Sequence, residues 1–436
     1  MTTRAKLWTI LAVVSCIVII ARAARKRHGS LQRNRIFAER VIAGANPYAQ
    51  PPVHAPYPPS YGIVMAPLLL PGLTGARILW AMLQLTMLFV LARVCLRWWN
   101  SLPESRAPPP AWLWFAAFAL AFRYFWRDTS GGGGNLVWGT LVALACVRPG
   151  EAAGADRRAW TGIGLGIVLG AKPTPLLFLP WLWMRGRRRT LALALATATA
   201  LHLAPMLTLG TEGWHAAYAH WLDGCWRYTS RDNVFAEPAF DFPKFTWMHQ
   251  SLRYAMARFL GTVPAGVHDA DVLELPLFFQ GLGLAPATIQ LLFRITAATC
   301  VVTTLGVLFA ARRKAAHWIE LAGPGALTCL TLLLSPITWK AHHVQLLPTF
   351  FLVLTAIAHS SRGRTRRRVG LVLYFVSCSV LAQLLLGRSG KNYMQSIYVV
   401  TFGTVWLLVE SLLLVALPST RQEQAVGPAQ MGNGSR

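Results

Sequence analysis

The sequence predicts an all-α polytopic membrane protein, and three observations carry that expectation. Of 436 residues, 54% belong to the hydrophobic set and only 13% are charged, about half the charged share of an average soluble domain. Apolar runs recur at about 7–23, 75–96, 111–126, 134–147, 190–209, 291–311, 318–335, 344–359, 369–387 and 396–417, which reads as ten spans of a hydrocarbon core ~30 Å thick. The basic residues, 42 Lys+Arg against 16 Asp+Glu, gather between those runs. No long polar low-complexity tract occurs, which excludes a disordered chain. A net charge of +26 would suggest nucleic acid in a soluble protein; here its placement in alternate loops points to topology.

The first run follows a short basic start (Arg4, Lys6) with no small-residue cleavage site after it, and reads as a retained span. With both termini cytoplasmic, the stretches Arg97 to Arg106, Arg148 to Arg158, Arg185 to Arg189, Arg312 to Lys314 and Arg362 to Arg368 fall inside, as does the tail 418–436. This is a strong positive-inside pattern of a multi-pass membrane protein. Ten acids then fall outside: Glu39, Asp128, Glu212, Asp223, Asp232, Glu237, Asp241, Asp269, Asp271 and Glu274. One loop breaks the rule. Residues 22–40 carry Arg22, Arg25, Lys26, Arg27, Arg33, Arg35 and Arg40, yet the alternation places them outside.

A single domain is expected over 1–417, with a first external loop at 24–74 and a large one at 211–290. In the first loop, Ile36, Phe37, Val41 and Ile42 oppose Arg35, Glu39 and Arg40, which suits a short interfacial helix; segment 61–72 suits another. Segment 160–184 is flanked by arginines at both ends and holds Lys172-Pro173 at its centre. Twelve residues up and twelve down are each too short to cross as helix. A broken, re-entrant helix pair fits, with Lys172 as a functional lysine in the membrane; the alternative is one tilted span with Lys172 reaching for the interface. Of seven cysteines only Cys225 lies in an external loop, and no pair has metal-ligand spacing, so a structural zinc site is not expected.

Candidate chemistry collects on the external side. The first loop holds Gly44-Ala-Asn46-Pro47-Tyr48 and Pro56-Tyr57-Pro58-Pro59-Ser60-Tyr61, stiff runs suited to an interface. Next comes Arg127-Asp128, then a glycine run to Gly134-Asn135, whose backbone N–H groups suit an oxyanion. Trp247-Met248-His249-Gln250-Ser251-Leu252 sits in the large loop, and Arg388, Lys391, Asn392 and Tyr393 in another external turn. The turn Ser335-Pro336-Ile-Thr338-Trp339-Lys340-Ala-His342-His343 reads equally as a binder of an anionic head group or as an interfacial anchor. Together these features suit a lipid-linked phosphate substrate: cations hold the phosphate while an acid or base acts on the transferred group.

These motifs resemble the polyprenyl-phosphate-dependent membrane glycosyltransferases of family eighty-seven, in the GT-C superfamily. The resemblance rests on Gly44-x-x-Pro47-Tyr48, Tyr57-Pro58-Pro59, Gly-Gly-Asn135, the glycine-rich run into Lys172-Pro173-x-Pro175, His249-Gln250-Ser251-Leu252, and Ser335-Pro336-x-Thr338-Trp339-x-x-His342 followed by Pro348, in family order. It implies transfer of a mannose-type hexose from a polyprenyl-phosphate donor to a lipid or glycan acceptor on the extracytoplasmic face of a bacterial inner (plasma) membrane, with no metal or other cofactor. Lys172 and His342, with Lys340, would face the donor phosphate, and Asn46, Tyr48, Tyr57, Asn135, Gln250 and Trp339 would line the substrate loops. In such enzymes an external-loop Asp is the general base. Ser30 occupies that position here, with Asn34 in place of the tyrosine that often follows. Glu39 and Asp128 are then the nearest candidate bases, with His28 behind them. A catalytically silent or divergent membrane protein and a lipid-linked sugar transporter stay open as alternatives. No matching half-repeat of the kind transporters show is visible in the sequence.

Overall fold

The computed structural model describes residues 3–25, 29–49, 56–103, 105, 107–148, 156–230, 247–262, 281–312, 317–360 and 363–417. Over these the chain is helical, and its strand-like pairing is one isolated antiparallel bridge, His249 to Trp339. The helices are α1 (Thr3–Arg25), α2 (Ser30–Ile42), α3 (Ser60–Met65), α4 (Leu73–Ser101), α5 (Ala111–Gly131), α6 (Asn135–Cys146), α7 (Thr161–Ala171), α8 (Phe178–Met184), α9 (Arg188–Leu203), α10 (Met206–Ser230), α11 (Leu252–Leu260), α12 (Pro286–Ala310), α13 (Ile319–Leu334), α14 (Leu347–His359), α15 (Arg364–Cys378), α16 (Val380–Ser396) and α17 (Val399–Ala416). The expected tail 418–436, and the acids Asp232, Glu237, Asp241, Asp269, Asp271 and Glu274, lie outside the described residues.

All ten apolar runs fall in helices, and fewer than ten of these are by themselves long and apolar enough to count as spans. Among the described residues, four helical stretches are long and apolar enough to cross a membrane: Leu73–Ser101, Pro286–Ala310, Lys340–His359 and Val399–Ala416. A fifth is gained if α9 and α10, bent by 83° where they meet, count as one. Length is one reason. With 12 residues in α6 and 16 in α13, these helices rise about 18 and 24 Å, short of a ~30 Å core.

Helices α13 and α14 lie innermost, buried along nearly their whole length. Phe350 and Phe351 of α14 are fully buried, and Phe351 meets the rings of Trp98, Trp99 and Trp114. Helix α7 packs on α9 through Gly162, Gly166 and Gly170. A Cβ at Gly162 would lie 2.2 Å from the Thr190 carbonyl, one at Gly166 2.6 Å from the Ala194 carbonyl, and one at Gly170 2.9 Å from Leu201. This is the small-residue stripe by which helices approach backbone to backbone. The helix then ends at Lys172, which is extended (φ −150°, ψ 109°), and a 3-10 turn leads into α8.

The ends of α6, α7 and α13 remote from Asn135, Lys172 and Ser335 are tied by buried charge. Glu320 accepts from Arg185 and, at 2.6 Å, from Arg187. Arg148 pairs with Asp156 at 2.9 Å and donates to the hydroxyls of Thr161 and Thr190.

The first loop departs from the expected interfacial helix. Helix α2 begins at Ser30, six residues earlier than the apolar pattern implied, and its stripe splits: Phe37 and Val41 are buried against protein while Ile36 and Ile42 stay exposed. Gly62 of α3 sits so close to Val41 that a Cβ would approach it to 2.7 Å. The excess of cations in this loop has structural uses. Arg35 donates to the Leu68 and Pro71 carbonyls and Arg40 to those of Pro47 and Ala49, while Arg22 lies 4.8 Å over the Trp126 ring. Lys26, Arg27 and His28 lie outside the described residues.

Candidate active site

A cavity of about 1040 Å³ opens between α2, the start of α6, the break after α7 and the turn that follows α13. Each wall is held by local chemistry. Asp128, at the end of α5, is fully buried. Its Oδ1 accepts from the Gly134 N–H (3.1 Å) and from Asn135 Nδ2 (2.7 Å), and its Oδ2 from the Leu136 N–H (3.0 Å). These are unpaired donors at the first turn of α6, where a carboxylate is stabilised by the helix end. The glycine run has the same cause: a Cβ at Gly133 would fall 1.9 Å from Asp128 Oδ1. The oxyanion these N–H groups receive is thus the protein's own.

Asn135 passes this order onward. Its Oδ1 accepts from Lys172 Nζ at 3.2 Å, and the same ammonium stands 5.2 Å over the Tyr57 ring. Tyr57 is itself stacked on Tyr61 at 4.1 Å. Across the cavity, the turn after α13 carries Trp339, Lys340 and His342. His342 Nδ1 lies 3.0 Å from the Trp339 N–H and 3.2 Å from the Trp339 carbonyl oxygen; it accepts from the first when its proton is on Nε2 and donates to the second when the proton is on Nδ1. Lys340 Nζ donates to Gln395 Oε1 at 3.2 Å.

Of the residues singled out in the sequence, Asp128, Lys172, His342, Lys340, Tyr57, Asn135 and Trp339 share this one wall, together with Ser30. Four stand outside it. Glu39 is about half exposed, beside Arg35 at 3.6 Å. Asn46 is exposed and caps its own turn by accepting from the Tyr48 N–H. Tyr48 donates its hydroxyl to the Tyr57 carbonyl at 2.6 Å and stacks on His220. Gln250 is buried as a clamp: its backbone N–H donates to the Thr338 carbonyl, its amide to the Trp247 and Gln395 carbonyls, and Thr401 donates to its own carbonyl. Its neighbour His249 packs on Trp339, ring centroids 4.7 Å apart. So Tyr48 and Gln250 hold the cavity's frame rather than its surface.

Sequence reasoning missed Arg33 and Arg127, both exposed to the cavity. Arg33 donates to Ser30 Oγ at 3.3 Å. Arg33 stands in the loop that breaks the positive-inside rule and Arg127 beside Asp128, but no motif gives either of them a role. The wall therefore carries Arg33, Arg127, Lys172, Lys340 and His342 against one carboxylate, Asp128, which is already engaged. Among the described residues no group of three His, Cys, Asp or Glu side chains could hold a metal ion. Cations outnumber carboxylates on the cavity wall.

A helical membrane bundle with a cation-lined cavity fits a membrane glycosyltransferase. The chain matches glycosyltransferase family 87 over residues 55–336, and it belongs to that family. The matched stretch takes in Tyr57, Asp128, Asn135, Lys172 and Gln250, while Ser30 precedes it and Lys340 and His342 follow it. No curated protein and no solved structure matches the chain.

Proposed function

We propose that the protein moves a mannose-type hexose from a polyprenyl-phosphate donor to a lipid or glycan acceptor, on the extracytoplasmic face of the bacterial plasma membrane, with both termini in the cytoplasm. The observation that carries this reading is the convergence of Lys172, His342 and Asp128 on one cavity; scattered over an outer rim, they would have favoured a silent scaffold. The acceptor hydroxyl attacks the anomeric carbon, and the bond from that carbon to the lipid phosphate oxygen breaks with inversion. The leaving phosphate keeps the bonding electrons, and its charge is met by the Lys172 ammonium and the Nε2–H of His342, both oriented before the substrate arrives. Lys172 is held by Asn135 and Tyr57, and His342 by its own backbone. The hydroxyl proton passes to a carboxylate. Of the two candidates Glu39 lies off the cavity wall, and Asp128, whose Oδ2 accepts one hydrogen bond where Oδ1 accepts two, is the one retained. The apolar part of the wall, from Ile36, Trp138, Val142 and Leu176, suits the prenyl chain.

The test is transfer of radiolabelled mannose from polyprenyl-phosphate mannose in membranes. Lys172→Ala and His342→Ala are expected to abolish transfer with protein levels intact, and full activity in both variants would remove the assignment. A panel of other polyprenyl-phosphate sugars in the same assay reads the sugar.

A further inference from the structure

Lys340 and His342 sit two residues apart in a 3-10 turn, where three residues complete a revolution, so their side chains leave the turn in different directions. His342 shares the cavity wall with Lys172. Lys340 bonds to Gln395, which also accepts from Arg123. Lys340 thus belongs to a second group of cations.

The second group is built with regular spacing. Arg123 and Arg127 are one helical turn apart on α5, Lys391 and Gln395 one turn apart on α16, and Lys340 comes between them from the turn after α13. Gln395 Oε1 accepts from both Lys340 Nζ and Arg123, each at 3.2 Å. The other guanidinium bond of Arg123 goes to the Cys378 carbonyl at 3.0 Å. Arg123 is only 7% exposed, and its Nε has no partner. Its acceptors are neutral. No carboxylate of the described residues lies within ion-pair distance of Arg123, Arg127 or Lys340. A buried cation held only by neutral acceptors is costly in a bundle of this kind, and the natural relief is an anion. Arg127 and Lys340 open on the cavity, so that anion can enter.

We infer that Arg123, Arg127, Lys340 and Lys391 form a second anion site, which receives a phosphate group carried by the acceptor while Lys172 and His342 receive that of the donor. The assignment of the two phosphates rests on the reading above; the existence of two sites does not. In this arrangement the acceptor is a phosphorylated molecule, and Gln395 is the residue that spaces Lys340 from Arg123.

The experiment measures equilibrium binding of radiolabelled dodecyl phosphate to the full-length protein in neutral detergent, with no sugar present. Two molecules per chain are expected for the unaltered protein. The double variant Arg127→Gln, Lys340→Gln is expected to bind one at unchanged strength and the other about 10- to 100-fold more weakly, the effect of losing charge-assisted hydrogen bonds. The retained molecule reports that this variant is folded. Lys172→Ala, His342→Ala is expected to lose the other molecule. Two tight molecules on the Arg127/Lys340 variant, or a single molecule on the unaltered protein that only Lys172/His342 substitution removes, would overturn the second site. Undiminished binding to the Lys172/His342 variant would instead count against the donor reading and leave the second site to its own variant. Competition by glucose 6-phosphate separates two sources of the phosphate. Displacement of the Arg127/Lys340-dependent molecule marks a soluble phosphorylated glycan, and its persistence marks a lipid-borne phosphate.

Discussion

At one end of α6, α7 and α13 the buried arginines meet carboxylates; at the other end the cations face open space. Arg148, Arg185 and Arg187 share Glu320 and Asp156, and the bonds reach across four segments of chain. Around the cavity, Lys172 reaches a carboxylate only through Asn135, and Lys340 and Arg123 reach an amide oxygen. The two regions hold charges of the same sign; those at the paired end are buried, those around the cavity range from buried Arg123 to exposed Arg127, and the counter-charge differs with them. Where the protein supplies it, the charge fastens helices. Where the protein withholds it, a ligand must bring it.

That contrast can be broken or sharpened by substitution. The largest effect is expected at the paired end. Glu320→Ala strips the carboxylate from two buried arginines, and loss of one partner of a buried pair costs about 3–5 kcal/mol. Thermal unfolding in detergent should show a marked drop in midpoint, and an unchanged midpoint would mean that the cluster fastens nothing. At the unpaired end the sign of the experiment reverses. Lys172→Ala should leave the midpoint in place and lower transfer by about 10²–10³-fold, the usual effect of removing one preorganised group that meets developing charge. A smaller effect is expected between the two ends. Gly166→Ala forces a methyl to within 2.5 Å of Thr197, an overpacking that costs about 1–3 kcal/mol. Its midpoint should fall by less than that of Glu320→Ala. The smallest effect is expected at Glu39, half exposed and beside Arg35. Surface pairs of this sort contribute about 0–1 kcal/mol, so Glu39→Gln should transfer sugar at near the unaltered rate. A dead Glu39→Gln would return it to the list of candidate bases.

Much of the helical architecture was legible in the sequence, because apolar runs and helix breakers are local properties. The break at Lys172 followed from Pro173 and from flanking arginines, and α7 does end there. Helix length was not legible: the apolar stretch 134–147 yields a helix of 12 residues, and nothing in its composition says where the neighbouring glycines stop it. The resemblance to a known family singled out Lys172 and His342. Composition alone left the turn at 335–343 undecided between anchoring and binding. Roles that depend on distant partners were hidden altogether. Gln250 reads as a polar loop residue, yet its partners Thr338, Gln395 and Thr401 lie 88 to 151 positions away. Arg123 reads as an oddity in an aromatic helix, and only the fold sets it beside Lys340. The excess of basic residues in 22–40 looked like a topological anomaly; carbonyl groups of its own loop take up Arg35 and Arg40.

The glycine stripe between α7 and α9 has a mechanical side. Where two helices meet through side chains, rotamers act as cushions and absorb a small slip. Across Gly162 and Gly166 there is little cushion, because a Cβ there would meet the carbonyl groups of Thr190 and Ala194, and only at Gly170 does a side chain, Leu201, intervene. The coupling is close, and Lys172 stands at its end. A displacement of α9 along that contact moves the backbone from which the lysine is aimed.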